Sequence, residues 1–191
     1  MDPADIIIAI LTGLWLTVPS YLPNSSAAFF GGGTPMDFGK KMKDGTRILG
    51  DGKTWKGAIA GTAAGFVIGF IQLGLLYSFD YPLGDYGNTA LWTLGILFCL
   101  GGGAIFGDLL GSFVKRRLKV ERGAKFPILD QYDFLIGSWL LILIFAFDWF
   151  KEFYLEGDAI FGLVAVLIMT PLLHRAVNII GFKMGKKDVP W

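Results

Sequence analysis

Long runs without a charged side chain alternate along the chain with short blocks dense in charge. No Asp, Glu, Lys or Arg occurs from 57 to 79, none from 86 to 107, and none from 6 to 36. A helix that crosses a bilayer needs about 20 predominantly apolar residues, so these runs predict membrane-spanning helices. Two later segments are apolar in the middle and carry Asp133, Asp148, His174 and Arg175 toward their ends. The pattern predicts an all-α integral membrane protein with five transmembrane helices in one domain, 1–191. The spans fall at about 5–22, 57–79, 87–111, 131–150 and 159–180, with polar loops at 23–56 and 112–130. The first run is not preceded by a basic region, and Asp2 and Asp5 flank it, which favours a retained helix over a cleaved signal peptide.

Basic residues set the orientation. Lys40, Lys41, Lys43, Arg47, Lys53 and Lys56 follow the first span. Lys115, Arg116, Arg117, Lys119, Arg122 and Lys125 follow the third, and Arg175, Lys183, Lys186 and Lys187 lie at the C-terminal end. With five spans, all of these share one face and only Lys151 lies opposite. The expected topology has the N-terminus outside, the C-terminus cytoplasmic, and both polar loops as a cytoplasmic cap in the cell membrane. Trp55, Trp149 and Trp191 stand near span boundaries, where amphipathic rings sit at the lipid–water interface. Gly57, Gly61, Gly65 and Gly69 recur every fourth position, a face on which helix backbones approach closely.

Composition narrows the function. Hydrophobic residues make up 53% of the chain and charged ones 17%, and the net charge of +1 gives no reason to expect nucleic acid. The lone cysteine, Cys99, excludes a disulfide framework and a Cys-based zinc site, and reads as a small buried hydrophobe. Any activity belongs to the two long polar loops.

Asp108, Ser112 and Lys115 or Arg116 fall on one face if the third span continues as a helix. Asp130 and Asp133 share a face at the start of the fourth. Grouped carboxylates repel unless a cation lies among them, and Mg²⁺, held by one or two carboxylates plus substrate phosphates, suits such a group. The neighbouring Lys and Arg side chains suit a polyphosphate. Gly52-Lys53-Thr54 resembles the tail of a P-loop, but the position five residues before Gly52 is Arg47 where that motif needs Gly. What remains is a flexible Gly50–Gly52 backbone ahead of a helix start, with Lys53 and Thr54 placed for a phosphate. The single His174 reads as structural.

The stretch Gly107-Asp108-Leu109, Ser112-Phe113-Val114-Lys115-Arg116 and Asp130-Gln131-Tyr132-Asp133 resembles the signature of membrane phosphatidate cytidylyltransferases. The first polar loop, from Asn24 through Gly31-Gly32-Gly33-Thr34-Pro35-Met36-Asp37-Phe38-Gly39 to Gly50-Asp51-Gly52-Lys53-Thr54-Trp55, is similar to the archaeal branch, the CDP-archaeol synthases. The chain departs from the bacterial signature in a shorter segment between Arg116 and Asp130 and in Gln131, which stands where the signature has Arg. The resemblance implies that CTP and an ether-lipid phosphate, 2,3-bis-O-geranylgeranyl-sn-glycerol 1-phosphate, give the CDP-activated lipid and pyrophosphate with Mg²⁺. On this reading Asp108, Asp130 and Asp133 hold the metal, and these three with Lys115 form the catalytic group. Asn24, Asp37, Arg47, Lys53, Thr54, Ser112 and Arg116 bind CTP. The implied partners are CTP, the lipid phosphate and the bilayer, with oligomeric state left open. Two other readings fit a small chain with acidic groups at a membrane edge: a transporter or channel, and a polyprenol or lipid kinase.

Overall fold

The computed structural model describes residues 2–120, 124, 126 and 128–185. Arg122, Lys125, Lys186, Lys187 and Trp191 lie outside the described residues. The described chain forms α1 (Pro3–Phe30), α2 (Trp55–Phe79), α3 (Ala90–Arg117), α4 (Leu129–Phe145), the single turn α5 (Phe147–Phe150), a π-helical turn (Lys151–Leu155) and α6 (Ala159–Lys183). Local chemistry starts the first three helices: Asp2, Thr54 and Thr89 each accept a hydrogen bond from an otherwise orphaned first-turn N–H. Among the described residues four helices, α1, α2, α3 and α6, are long and apolar enough to cross a membrane. Large apolar side chains such as Ile59, Val67, Leu91, Ile144 and Ile168 face outward, as suits a multi-pass membrane protein whose solvent is lipid.

The helices meet through glycine. A Cβ at Gly65 of α2 would lie 2.7 Å from the Gly101 Cα of α3, and one at Gly103 of α3 would lie 2.7 Å from the Ser138 Cα of α4. A Cβ at Gly13 of α1 would lie 2.7 Å from the Gly162 Cα of α6. Each seam closes because the side chain is missing. The expected glycine face of α2 is buried as a whole, and Cys99 is buried in the core of α3.

The first helix runs further than its predicted end at 22. It continues through Pro19 and Pro23 to Phe30. Proline has no N–H for the carbonyl four residues back and normally ends a helix. At Pro19 a neighbouring helix supplies what is missing: the Gln72 side-chain amide of α2 donates to the Trp15 carbonyl at 2.8 Å. The same device recurs in α6, where Pro171 orphans the Leu167 carbonyl and the Tyr132 hydroxyl of α4 donates to it at 2.7 Å.

Trp149 is packed against protein at its span's end and bonds to the connection between α2 and α3. The helical run breaks at Ala146, and the turn brings Trp149 inward, where it is buried and donates from Nε1 to the Asp85 carbonyl at 3.0 Å.

Candidate functional site

The loop between α1 and α2 is built around one carboxylate. Asp37 accepts hydrogen bonds from the backbone N–H groups of Gly39, Leu49 and Gly50, and from Nε and Nη2 of Arg47 at 3.1 and 2.6 Å. The Arg47 guanidinium, more than any backbone donor, holds the Asp37 carboxyl well below the usual carboxylate range. Arg47 also reaches Asp51 at 2.5 Å. The last turn of α3 clamps the loop from outside: Arg117 pairs with Asp44 at 3.0 Å, donates to the Arg47 carbonyl at 2.6 Å, and lies over the Phe113 ring. The loop closes where Met36 N–H donates to the Lys53 carbonyl at 2.7 Å, which leaves the Lys53 side chain pointing into the bundle.

There Lys53 meets α3. Its Nζ lies 2.5 Å from Asp108 Oδ2. A second pair joins α3 to α4, with Lys115 Nζ 2.6 Å from Asp130 Oδ1. The other oxygen of Asp130 accepts from the Phe126 N–H at 3.0 Å. Between the two pairs sits Asp133, almost fully buried, within the electrostatic reach of Asp108, Lys115 and Lys53. Its backbone packs on Gly107 and its carboxylate on Gly111, where a Cβ would lie 2.8 Å from Oδ2. Two glycines one helical turn apart on α3 thus make room for one acid of α4.

These groups open into a cavity of about 430 Å³. Its walls come from the C-terminal part of α1, the start of α2, the end of α3, the start of α4 and the C-terminal half of α6. Of the site residues read from the sequence, Asn24, Lys53, Thr54, Asp108, Lys115, Asp130 and Asp133 line it. Asp37, Arg47, Ser112 and Arg116 are not in its lining. Asp37 and Arg47 are spent on each other and on the loop backbone, and Ser112 is buried in the packing of α3.

Sequence reasoning left out Tyr21, His174 and Asn178, which also line the cavity. The signal for the last two was a polar pair one turn apart in an apolar run, and the Asn178 amide lies 3.2 Å from His174 Nδ1. Asn24 Oδ1 is buried and has no hydrogen-bond partner among the described residues.

A helical bundle with a charged cavity at one end, among lipid-facing helices, is the frame of a membrane-embedded enzyme. A solved structure described as an intramembrane enzyme for archaeal membrane lipids biosynthesis shares this fold at a TM-score of 0.66 and 35% identity, covering 89% of this chain and 94% of that one. The CDP-archaeol synthase of Methanocorpusculum labreanum is 46% identical over 91% of this chain and 99% of its own length. That of Picrophilus torridus is 44% identical over 97% of this chain and 98% of its own. The sequence model of the CarS-like family, CDP-archaeol synthase, matches residues 5–191. The chain belongs to the CDP-archaeol synthase family, cytidylyltransferases that form CDP-archaeol from CTP and an archaeal lipid phosphate.

Proposed function

We propose that the cavity between the two lysine–aspartate pairs is where CTP and the lipid phosphate react. The observation that carries this reading is the set Lys53–Asp108, Lys115–Asp130 and Asp133 around one opening, with three acids and two bases drawn from three parts of the chain. A triphosphate needs cations arranged around it. Lys53 and Lys115, both partly exposed, turn from their aspartates to phosphate oxygens. An oxygen of the lipid phosphate attacks the α-phosphorus of CTP, the bond to the bridging oxygen of the β-phosphate breaks, and pyrophosphate leaves. The attacking phosphate is ionised at neutral pH, so no general base is needed.

Mg²⁺ fits the donor set. Among the described residues no three His, Cys, Asp or Glu side chains gather closely enough to enclose a metal alone. The available donors, Asp108, Asp130, Asp133 and the unpartnered Asn24 Oδ1, are all hard oxygens. One or two of these carboxylates, together with substrate phosphate oxygens, would hold the ion. When bound, it neutralises charge on the triphosphate.

The fold 1–191 is one domain in this reading. The 17 residues of α4 extend about 26 Å at ~1.5 Å per residue, and with α5 they form the fourth of the five spans. Both basic loops and the cavity then face the cytoplasm, with the N-terminus outside. The cavity walls support this, since they come from alternate ends of successive long helices, as an up-and-down bundle of five requires. Purified protein given CTP labelled at the α-phosphate should move label to an archaeal ether-lipid phosphate in preference to an ester one. Transfer of γ-label instead would make it a kinase, and ion flux without label transfer a transporter.

A further inference from the structure

We propose that the loop segment 38–43 is an anchor on the membrane surface, seated on anionic lipid headgroups beside the start of α2. The inference uses the multi-pass placement of the chain and none of the chemistry assigned to the cavity.

Phe38 carries it. This ring is 62% exposed in a loop outside the spanning helices, and its backbone is left-handed, with φ +50°. A bulky residue in that conformation is strained, and such strain persists where the surrounding structure imposes it. Here the Asp37 network imposes it on the next residue, and the result is an aromatic ring presented outward. Its ring centroid lies 6.5 Å from that of Trp55. Trp55 opens α2, so its half-exposed indole stands at the depth where a spanning helix leaves the hydrocarbon, the level that tryptophan prefers. Phe38 shares that depth.

Charge identifies what the segment meets. Lys40, Lys41 and Lys43 follow Phe38, all exposed and without an ion pair among the described residues, and Met42 between them is 43% exposed. A groove of about 500 Å³ is lined by Trp55 together with Lys56 and Ile59. Apolar side chains interleaved with unpaired lysines at an interface match a layer of phosphate headgroups over acyl chains. An acidic protein surface would use the lysines and leave Phe38 and Met42 without a role.

The arrangement ties the bilayer surface to the cavity. Phe38 adjoins the carboxylate that holds the Leu49 and Gly50 amides, and Lys53 follows Gly50 by one short turn.

The test uses full-length protein in liposomes. A nitroxide is placed at Phe38→Cys and, separately, at Met42→Cys, with the buried Cys99 left in place. Relative to a free nitroxide in buffer, both labels should be shielded from a water-soluble nickel chelate and accessible to oxygen. The shielding should increase when anionic lipid is added to zwitterionic vesicles. Replacing Lys40, Lys41 and Lys43 together by Ser should abolish that increase. Labels as open to the chelate as the free nitroxide in both vesicle types would overturn the anchor, and shielding that ignores lipid charge would overturn its specificity for anionic headgroups. Neither result depends on turnover, so each is separable from failure of the cavity chemistry.

Discussion

At Asp133, an almost buried acid fits against two glycines of the neighbouring helix, so its shape and its charge can be separated by one substitution. Asp133→Asn keeps the shape. If the carboxylate helps to order the triphosphate, label transfer from CTP should fall by about 100-fold or more in kcat, the scale of losing one electrostatic stabiliser, while the protein still folds. Full Mg²⁺-dependent turnover in that variant would remove Asp133 from the site. Asp37 does a different job. Its carboxyl titrates below the usual range in the folded loop and near about 4 when unfolded. Its contribution to loop order is therefore complete above pH ~4 and drains as the pH falls from there toward the folded value. Protection of the Leu49 and Gly50 amides against hydrogen exchange should drop in that acid range, and in Asp37→Asn it should be low at every pH. The Asp37–Arg47 pair shows where sequence reading stops. The two residues are ten apart in a polar loop with several acids and bases, and nothing in the pattern says that they choose each other over a ligand.

Among the helices, charge-free runs were legible because the bilayer leaves no other solution for them. The ends were less so. Pro19 and Pro23 are stop signals in isolation, and at Pro19 a partner on another helix satisfies the carbonyl left open as α1 passes through. The break at Ala146 was illegible for a similar reason, since no Gly or Pro marks it. The proline device makes a double-mutant prediction. Tyr132→Phe removes the donor to the Leu167 carbonyl and should destabilise the protein by about 1 kcal/mol in detergent. In a Pro171→Ala background the helix supplies its own N–H to that carbonyl, so the same change should cost nearly nothing. Thermal unfolding of the four proteins checks it, and equal costs in both backgrounds would contradict the role assigned to Tyr132.

Over the whole molecule, the convergence of distant acids and bases on one cavity was foreshadowed by helix faces and loop charge. The wall contributed by α6 was not, because His174 and Asn178 sit in a segment whose apolar character dominates its pattern. The pairing of Gln72 with the Trp15 carbonyl also bears on how the protein is made. Synthesis delivers α1 before α2, and until Gln72 emerges a main-chain oxygen in the first helix lacks its partner. In hydrocarbon such a group costs several kcal/mol. The two helices are therefore expected to leave the insertion machinery together as a hairpin. A nascent chain halted before α2 should integrate less efficiently than one carrying both, and Gln72→Leu should erase much of the difference.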